Sequence, residues 1–457
     1  MDSQTTIAAI STPLSPAGIG MVRLSGPHAL DIAQRLVRPA DPKRSPASLP
    51  GYSGLYGRVY DQDGEFDEAV VFVYRAPKSY TGEDVAEVCC HGGAYLLRRT
   101  LSRCFQLGAS PAGRGEFTKR AFLNGKLSLT QAEAVAGLIA AQGSQSAAAA
   151  LAARDGALQQ RIERIAQNLV HLSASLAAWI DYPDEEQDAV FGEQLAAQMR
   201  KERQELHGLL EGYERGRLFR DGIVTAIVGK PNVGKSTLMN LLAGRQKSIV
   251  TAIPGTTRDV VESRVMLGDI LLELADTAGI RETDDPVEAA GVDLARSTAR
   301  TAQLVIVVLD STDRLQDEDR KILEELSRKP AIAVINKTDA GQNIAPQEVF
   351  PYVRETVAMS AQSGDGVQQL EEAVLRVMEL DQLTPGQDLL ISERQLLCAQ
   401  AAHDQLAEAL EALENGMTFD AINVCLDCAL DELLVLTGQR ASEAVVDEVF
   451  SKFCVGK

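Results

Sequence analysis

The chain has 457 residues, 45% of them hydrophobic and 24% charged, and a formal net charge of -19. That length accommodates about three domains of ordinary size, and no apolar run approaches the ~20 residues that a membrane-spanning helix requires. The acidity argues against a protein that coats nucleic acid nonspecifically, and seven cysteines scattered along the chain argue for reduced thiols rather than a disulfide framework.

The opening MDSQTTIAAISTPLSPAGIG has neither a basic leader segment nor a long apolar stretch, so a cytoplasmic protein without a membrane association is expected. Residues 1–126 mix short β-like runs (Gly20 to Leu24, Ala69 to Tyr74, Ala86 to Cys89) with turn clusters and one helix from about Ala94 to Leu107. This pattern predicts a compact α+β domain. It carries a net charge of +3, leaving -22 on the rest of the chain, so contact with a polyanion is expected to concentrate here or on a partner. From Leu127 the composition turns to Ala, Gln, Leu and Glu with helical periodicity, running to about Arg217 and broken near DYPDEE (Asp181 to Glu186). Within it, the alanines at 147–150 read as a site of close helix packing.

Next comes a strand-like run, Ile223 to Val228, that ends in GKPNVGKS (Gly229 to Ser236) and an amphipathic stretch. Strand, glycine-rich loop and helix are the context in which backbone N–H groups wrap phosphate oxygens at a helix N-terminus, Lys235 reaches the terminal phosphates and Ser236 offers a hydroxyl to Mg2+. GTTRD (Gly255 to Asp259), DTAG (Asp276 to Gly279) and NKTD (Asn336 to Asp339) follow in order. Asp339 can accept from both the N1–H and the exocyclic amine of guanine, a pair that adenine does not present. Further apolar runs at Ile270 to Ala275, Leu304 to Leu309 and Ala331 to Ile335 predict a doubly wound parallel sheet with ligand residues at strand ends. Helical character returns from about Asp388 to Phe453. The nucleotide domain therefore reads as inserted between two arms of one helical bundle. Cys425 and Cys428 fall in this second arm and read as helix core or surface.

Two features of the nucleotide motifs are unusual. The position after DTAG is Ile280, which cannot orient a water as the glutamine of small GTPases does, so another group is needed. Glu282, Asp284, Asp285 and Glu288 all offer carboxylates nearby, and the residues alone do not choose among them. The second feature is Asn232 inside the loop, whose amide oxygen either ligates a hard monovalent cation beside the phosphates or stabilises the loop backbone. Arg23 and Glu87, by themselves, read as a structural ion pair; Cys454 reads either as an exposed thiol beside Lys452 and Lys457 or as a buried apolar side chain.

Beyond the nucleotide motifs, VRLSG (Val22 to Gly26), TGEDVAEVCCHGG (Thr81 to Gly93), GEFTKRAFLNGKLSLTQAEA (Gly115 to Ala134), DYPDEE and the final FCVGK closely resemble the tRNA-modification GTPase MnmE (TrmE) family, over nearly the whole chain. The resemblance implies four segments: 1–126, folate-binding and dimerising; 127–220 and 381–457, the two helical arms; and 221–380, the GTPase domain. The implied fold is thus a P-loop GTPase domain inserted in a helical bundle and preceded by an α+β folate-binding-like domain.

It further implies GTP hydrolysis that depends on K+ and is driven by dimerisation of the GTPase domains. The implied nucleotide contacts are Asn232, Val233, Gly234, Lys235, Ser236 and Thr237 in the first motif, then Thr251, Ala252, Ile253, Pro254, Gly255, Thr256 and Thr257 in the following loop. Asp276, Thr277, Ala278 and Gly279 join them, with Asn336, Lys337, Thr338, Asp339, Ser360 and Ala361 around the base. K+ would be held by the Asn232 side chain, the carbonyls of Thr251 and Ile253, and Thr256, and Mg2+ by Ser236 and Thr257. Among the carboxylates the resemblance selects Glu288, positioning the attacking water indirectly through a second water, and Lys235 and Cys454 are the other implied catalytic residues. Arg23, Glu87, Lys126 and Lys457 would bind 5-formyl-tetrahydrofolate or a related tetrahydrofolate, and Cys454 becomes a functional thiol near the same pocket. The implied output is an aminomethyl or carboxymethylaminomethyl group at C5 of the wobble uridine in certain tRNAs, made by a homodimer in complex with MnmG, which alone carries FAD. A ribosome-assembly GTPase is the poorer reading, because no Gly-x-x-Gly RNA-binding loop in a basic C-terminal domain is evident. A folate-dependent methyltransferase with a regulatory GTPase would act without the flavoprotein.

Overall fold

The computed structural model describes residues 5–181, 188–245, 263–275, 300–327, 329–380 and 388–457. The chain divides into two compact units, one of residues 1–136, 153–206 and 392–457, the other of 137–152 and 207–391.

In the first unit seven strands, β1 (Ile7–Ile10), β2 (Ala17–Ser25), β3 (Val37–Pro39), β4 (Ser53–Asp61), β5 (Gly64–Tyr74), β6 (Val85–Gly92) and β7 (Ser110–Pro111), lie in the order β3-β4-β5-β6-β2-β1-β7. All neighbours are antiparallel except β1 and β7. The two edge strands are short and each ends on a proline, which denies the edge a regular ladder for further pairing. Along β5 the side chains alternate: Ala69, Val71 and Val73 are buried while Val70 and Phe72 are exposed. The buried face meets helices Ala29–Leu36 and Ala94–Gln106, whose Ile32, Leu36, Leu97 and Cys104 share one core with Val22, Val71 and Val88. Gly20 permits this closeness, because a Cβ there would stand 2.7 Å from Leu97. Among the described residues before 127 there are three α-helices rather than the one expected, the third being Glu116–Leu123, and strands β1, β3, β4 and β7 were not foreseen.

The same unit holds a helical part drawn from both sides of the second unit's sequence. Helix Ala157–Asp181 buries Leu158, Ile162, Ile165, Leu169, Leu172 and Leu176, a spacing of three and four residues that makes one continuous apolar stripe. It packs on helix Phe419–Thr437, which packs in turn on Glu393–Glu414. Ser392 caps the last of these by accepting from the Gln395 N–H. A buried pair, Arg394 with Glu133 at 2.7 Å, joins residues far apart in sequence. Trp179 stacks on Phe191 with ring centres 4.4 Å apart, and Phe191 meets Phe419 edge-on. Cys425 is half-buried and Cys428 exposed on their helix, and all seven thiols are free.

The second unit is built on six strands, β8 (Ile223–Val228), β9 (Ser263–Leu267), β10 (Ile270–Leu274), β11 (Leu304–Asp310), β12 (Ala331–Asn336) and β13 (Glu355–Ala358), in the order β13-β12-β11-β8-β10-β9. Every neighbouring pair is parallel except β9 with β10. Strand β11 is buried on both faces: Ile306 and Val308 belong to one core, Val305, Val307 and Leu309 to another. That explains its unbroken apolar run, as expected of a sheet covered on both sides. In helix Ser144–Arg154 the alanine run packs closely, Ala150 standing 3.6 Å from where a Cβ on Gly137 would lie. Among the described residues no helix is long and apolar enough to cross a membrane.

Candidate nucleotide site and the pocket at the C-terminal tail

Strand β8 ends at Val228, and the chain turns through Gly229 (φ 147°), Asn232 (φ 62°) and Gly234 (φ 98°) before helix Lys235–Arg245 begins. The two glycines are required by closeness as well as by φ. A Cβ on Gly229 would collide with the Val308 carbonyl, and one on Gly234 with the Asn336 amide. The loop therefore presses against the carboxyl ends of β11 and β12, with the N–H groups of a helix N-terminus open above it. Ser236 and Thr237 are exposed at that end, and Val233 is buried. Lys235 donates to the carbonyls of Gly229 (2.8 Å) and Lys230 (2.6 Å), and burial lowers its pKa.

Asn336, only 2% exposed, bridges two loops: its amide donates to the Val233 carbonyl and its oxygen accepts from the Ala361 N–H, both at 2.9 Å. One side chain thus fixes the phosphate loop and the Ser360–Ala361 loop to the same strand end. Lys337, at φ 65°, donates to the Asn232 carbonyl (2.8 Å) and to Asp310 (2.6 Å). Burial raises the Asp310 pKa, but hydrogen bonds from Lys337 and Thr312 outweigh it, and the net direction is downward. Thr338 donates its N–H to Met359, and Asp339 is exposed without a hydrogen bond to a described residue. The exposed Asn232 amide likewise makes none, so it does not brace the loop through described groups. A second brace went unforeseen: Lys230 pairs with Asp319 at 2.8 Å, both largely buried, and also donates to Gln316. Its only local signal was an acid three residues into a helix.

The structure thus brings together Asn232 to Thr237, Asn336 to Asp339, Ser360 and Ala361. Thr251, Ala252, Ile253, Pro254, Gly255, Thr256 and Thr257 lie outside the described residues, as do Asp276, Thr277, Ala278, Gly279, Ile280, Glu282, Asp284, Asp285 and Glu288.

A separate site lies in the first unit. Arg23 on β2 and Glu87 on β6 are cross-strand partners and form an ion pair at 2.8 Å, each about 15% exposed. The pair foreseen as structural does exist, and it has further neighbours. The Arg23 guanidinium lies 5.6 Å from the Phe117 ring centre, and the Tyr74 hydroxyl donates to Glu87 at 3.3 Å. Burial raises the pKa of Tyr80, opposed by its hydrogen bond with Thr118 and by Arg23. The C-terminal tail closes against these groups: the Gly456 carbonyl accepts from Arg23 and from Ser11, the Lys457 carbonyl from the Phe117 N–H, and the Cys454 carbonyl from the Gly115 N–H. Cys454 is exposed. Lys126 stands off this group, exposed and donating to the Pro77 carbonyl, so it anchors the loop that carries Tyr80. The aromatic residues here were legible in principle, since Tyr74 shares a strand face with Phe72.

A parallel sheet with this loop, and with Asn336 and Asp339 at the next strand end but one, defines a P-loop GTPase, an enzyme that hydrolyses GTP. Residues 6–126 match the family described as GTP-binding protein TrmE N-terminus, and residues 129–454 the MnmE helical domain. The chain is 41% identical to the tRNA modification GTPase MnmE of Synechococcus sp. (strain JA-3-3Ab), covering 99% of this chain and 98% of that one. It is 36% identical to the protein of the same name from Acetivibrio thermocellus, over the full length of both. This chain belongs to the MnmE family of tRNA modification GTPases. Among solved structures it is similar to Era in complex with MgGDPNP and a segment of 16S ribosomal RNA, at 28% identity and a TM-score of 0.26, covering 40% of this chain and 66% of that one. Similarity to the G domain of the T. maritima FeoB iron transporter covers 34% and 98%, at 24% identity and a TM-score of 0.25.

Proposed function

We propose that this chain is a K+-activated GTPase whose hydrolysis, triggered by dimerisation of its GTPase domains, drives modification of wobble uridine in certain tRNAs. The product is an aminomethyl or carboxymethylaminomethyl group at C5, made in the cytoplasm by a homodimer together with the FAD-dependent partner MnmG. In this reading segment 1–126 binds folate and dimerises, 127–220 and 381–457 form the helical arms, and 221–380 is the GTPase domain. The acidity of the chain fits a division of labour in which the partner supplies much of the tRNA-binding surface.

The observation that carries the K+ reading is Asn232. Its backbone is held at positive φ by Lys337 on its carbonyl, and its amide is left exposed at the phosphate loop. That is an oxygen donor of the kind a hard cation takes, completed by the carbonyls of Thr251 and Ile253 and by Thr256. Ser236 and Thr257 would hold Mg2+. Bound there, the two cations supply positive charge against the negative charge that develops on the transferred phosphoryl group. The chain's own groups do the rest: Asp339 orients guanine, Lys235 leaves its loop carbonyls for the phosphates, and Glu288 positions the attacking water through a second water. Replacing K+ by Na+ is expected to lower GTP turnover about 10²-fold, the scale of losing one electrostatic contact to the transition state. Equal rates in the two salts, measured by phosphate release, would remove the ion from the mechanism.

The Arg23–Glu87 pair, with the Tyr74 hydroxyl on Glu87 and the buried Phe117 ring against Arg23, suits a planar heterocycle with both donor and acceptor edges, which supports the tetrahydrofolate reading with Lys457 as a further contact. Cys454 stands in the tail that closes this pocket. Gly456 sets the tail's path at φ 95°, and a Cβ there would collide with the Ile10 carbonyl. Gly456→Ala is therefore expected to weaken 5-formyl-tetrahydrofolate binding roughly 10-fold, the effect of about 1.4 kcal/mol of strain, while leaving GTP turnover unchanged. Calorimetric titration showing wild-type folate affinity would detach the tail from the site.

A further inference from the structure

Helix Ala94–Gln106 turns its apolar side to the sheet and leaves a polar outer stripe of Tyr95, Arg98, Arg99, Ser102, Arg103 and Gln106. Between this stripe and the β4–β5 turn at Asp61–Asp63 lies a groove of about 430 Å³. Its charges are not balanced. Asp61 is engaged by Arg99, which donates to it twice at 2.6 and 3.1 Å and also covers the Phe66 ring. Asp63 is 88% exposed and 3.7 Å from the same Arg99. Arg98 and Arg103 have no ion-pair partner among the described residues, and the Arg103 Nε is buried with no hydrogen-bond partner. The Arg103 Nη1 donates to Gln106 at 3.0 Å, and the remaining N–H groups on the groove side of Arg98 and Arg103 can give a phosphate oxygen charge-assisted bonds. Tyr95, 70% exposed at one end of the stripe, presents an open aromatic face.

We propose that this groove binds the sugar–phosphate backbone of RNA, with Arg98 and Arg103 on phosphates and Tyr95 stacking on an adjacent unpaired base. The choice of RNA over another anion rests on the family's tRNA substrate, on the aromatic face beside the cations, and on the groove's position in the one segment of an acidic chain with net positive charge. Phosphate contacts of this kind position a substrate without reading its sequence, so the groove orients tRNA rather than selecting it.

The test is fluorescence anisotropy with labelled tRNA and the full chain over a series of salt concentrations. R98A/R103A is expected to bind about 10-fold more weakly, with a log–log salt slope shallower by roughly 1.5, as the loss of two phosphate contacts predicts. R98K/R103K should retain most of that slope. Tyr95→Ala should weaken binding roughly 5-fold or more without changing the slope, and GTP turnover should be unchanged in all three. Unchanged affinity and slope in R98A/R103A, or no measurable tRNA binding by the wild-type chain, would overturn the proposal. So would loss of flavoprotein association with tRNA binding intact, which would give the groove to a protein. Failure of the tRNA-modification reading itself shows elsewhere, as unaltered wobble uridines in cells lacking the chain.

Discussion

Asp339→Asn is expected to convert the protein from a GTP-binding to a xanthosine-triphosphate-binding enzyme. The carboxylate accepts twice from the guanine edge; an amide offers one acceptor and one donor, which mismatches guanine and matches the carbonyl of xanthine. Sites built around a buried polar pair discriminate by several powers of ten, so a loss of GTP affinity of roughly 10³-fold is expected, with a comparable gain for the xanthine nucleotide. The structure supplies the reason the effect should be local. Asp339 is exposed and has no hydrogen bond to a described residue, whereas the bridging that holds the loops together belongs to Asn336 three positions earlier. Competitive binding with the two nucleotides reads the switch directly. Retained GTP preference would show that the base is held by other groups.

Glu288→Ala is expected to leave nucleotide binding intact and reduce hydrolysis about 10²-fold or more, the usual effect of removing a group that handles the attacking water or its proton. Ile280, where a glutamine would otherwise stand, shows only that another group is needed; the family resemblance is what selects Glu288. Four carboxylates follow within eight residues, so the same measurement on Glu282, Asp284 and Asp285 completes the test. Wild-type turnover in Glu288→Ala, by single-turnover phosphate release, would transfer the role to one of those three. The contrast with Asp339→Asn is informative, since one change moves affinity and the other moves the chemical step.

The nucleotide sheet was legible because its signals are local. Val228, Leu309 and Ile335 each close an apolar run just before a turn or polar group, and the glycines that the loop needs stand beside the lysine that uses them. What escaped depends on distant neighbours. Strand β4 is interrupted by Gly57, which reads locally as a breaker, yet a Cβ there would collide with the Arg38 carbonyl on β3. Helix Ala29–Leu36 runs directly into Val37 and β3 without a glycine at its end, and the proline beyond it, Pro39, lies inside the edge strand. Helix Glu116–Leu123 starts from Gly115, held at φ 60° against Phe450 and Phe453, more than 300 residues away in sequence. The pocket behaves likewise: Ser11 bonds the Gly456 carbonyl across 445 residues, and no periodicity joins those positions. Family resemblance named Arg23, Glu87 and Lys457 together, and in the fold Arg23 touches both Glu87 and the residue beside Lys457. For Lys126 the fold gives a bond to the Pro77 carbonyl instead.

The central claim is that GTP hydrolysis by this chain is spent on tRNA. Mass spectrometry of wobble uridines tests it most directly, in cells lacking the chain and in the same cells carrying either the wild type or Glu288→Ala. Loss of the C5 aminomethyl-type groups, restored by the wild type and not by Glu288→Ala, is the predicted result. Fully modified wobble uridines in cells without the chain would contradict it.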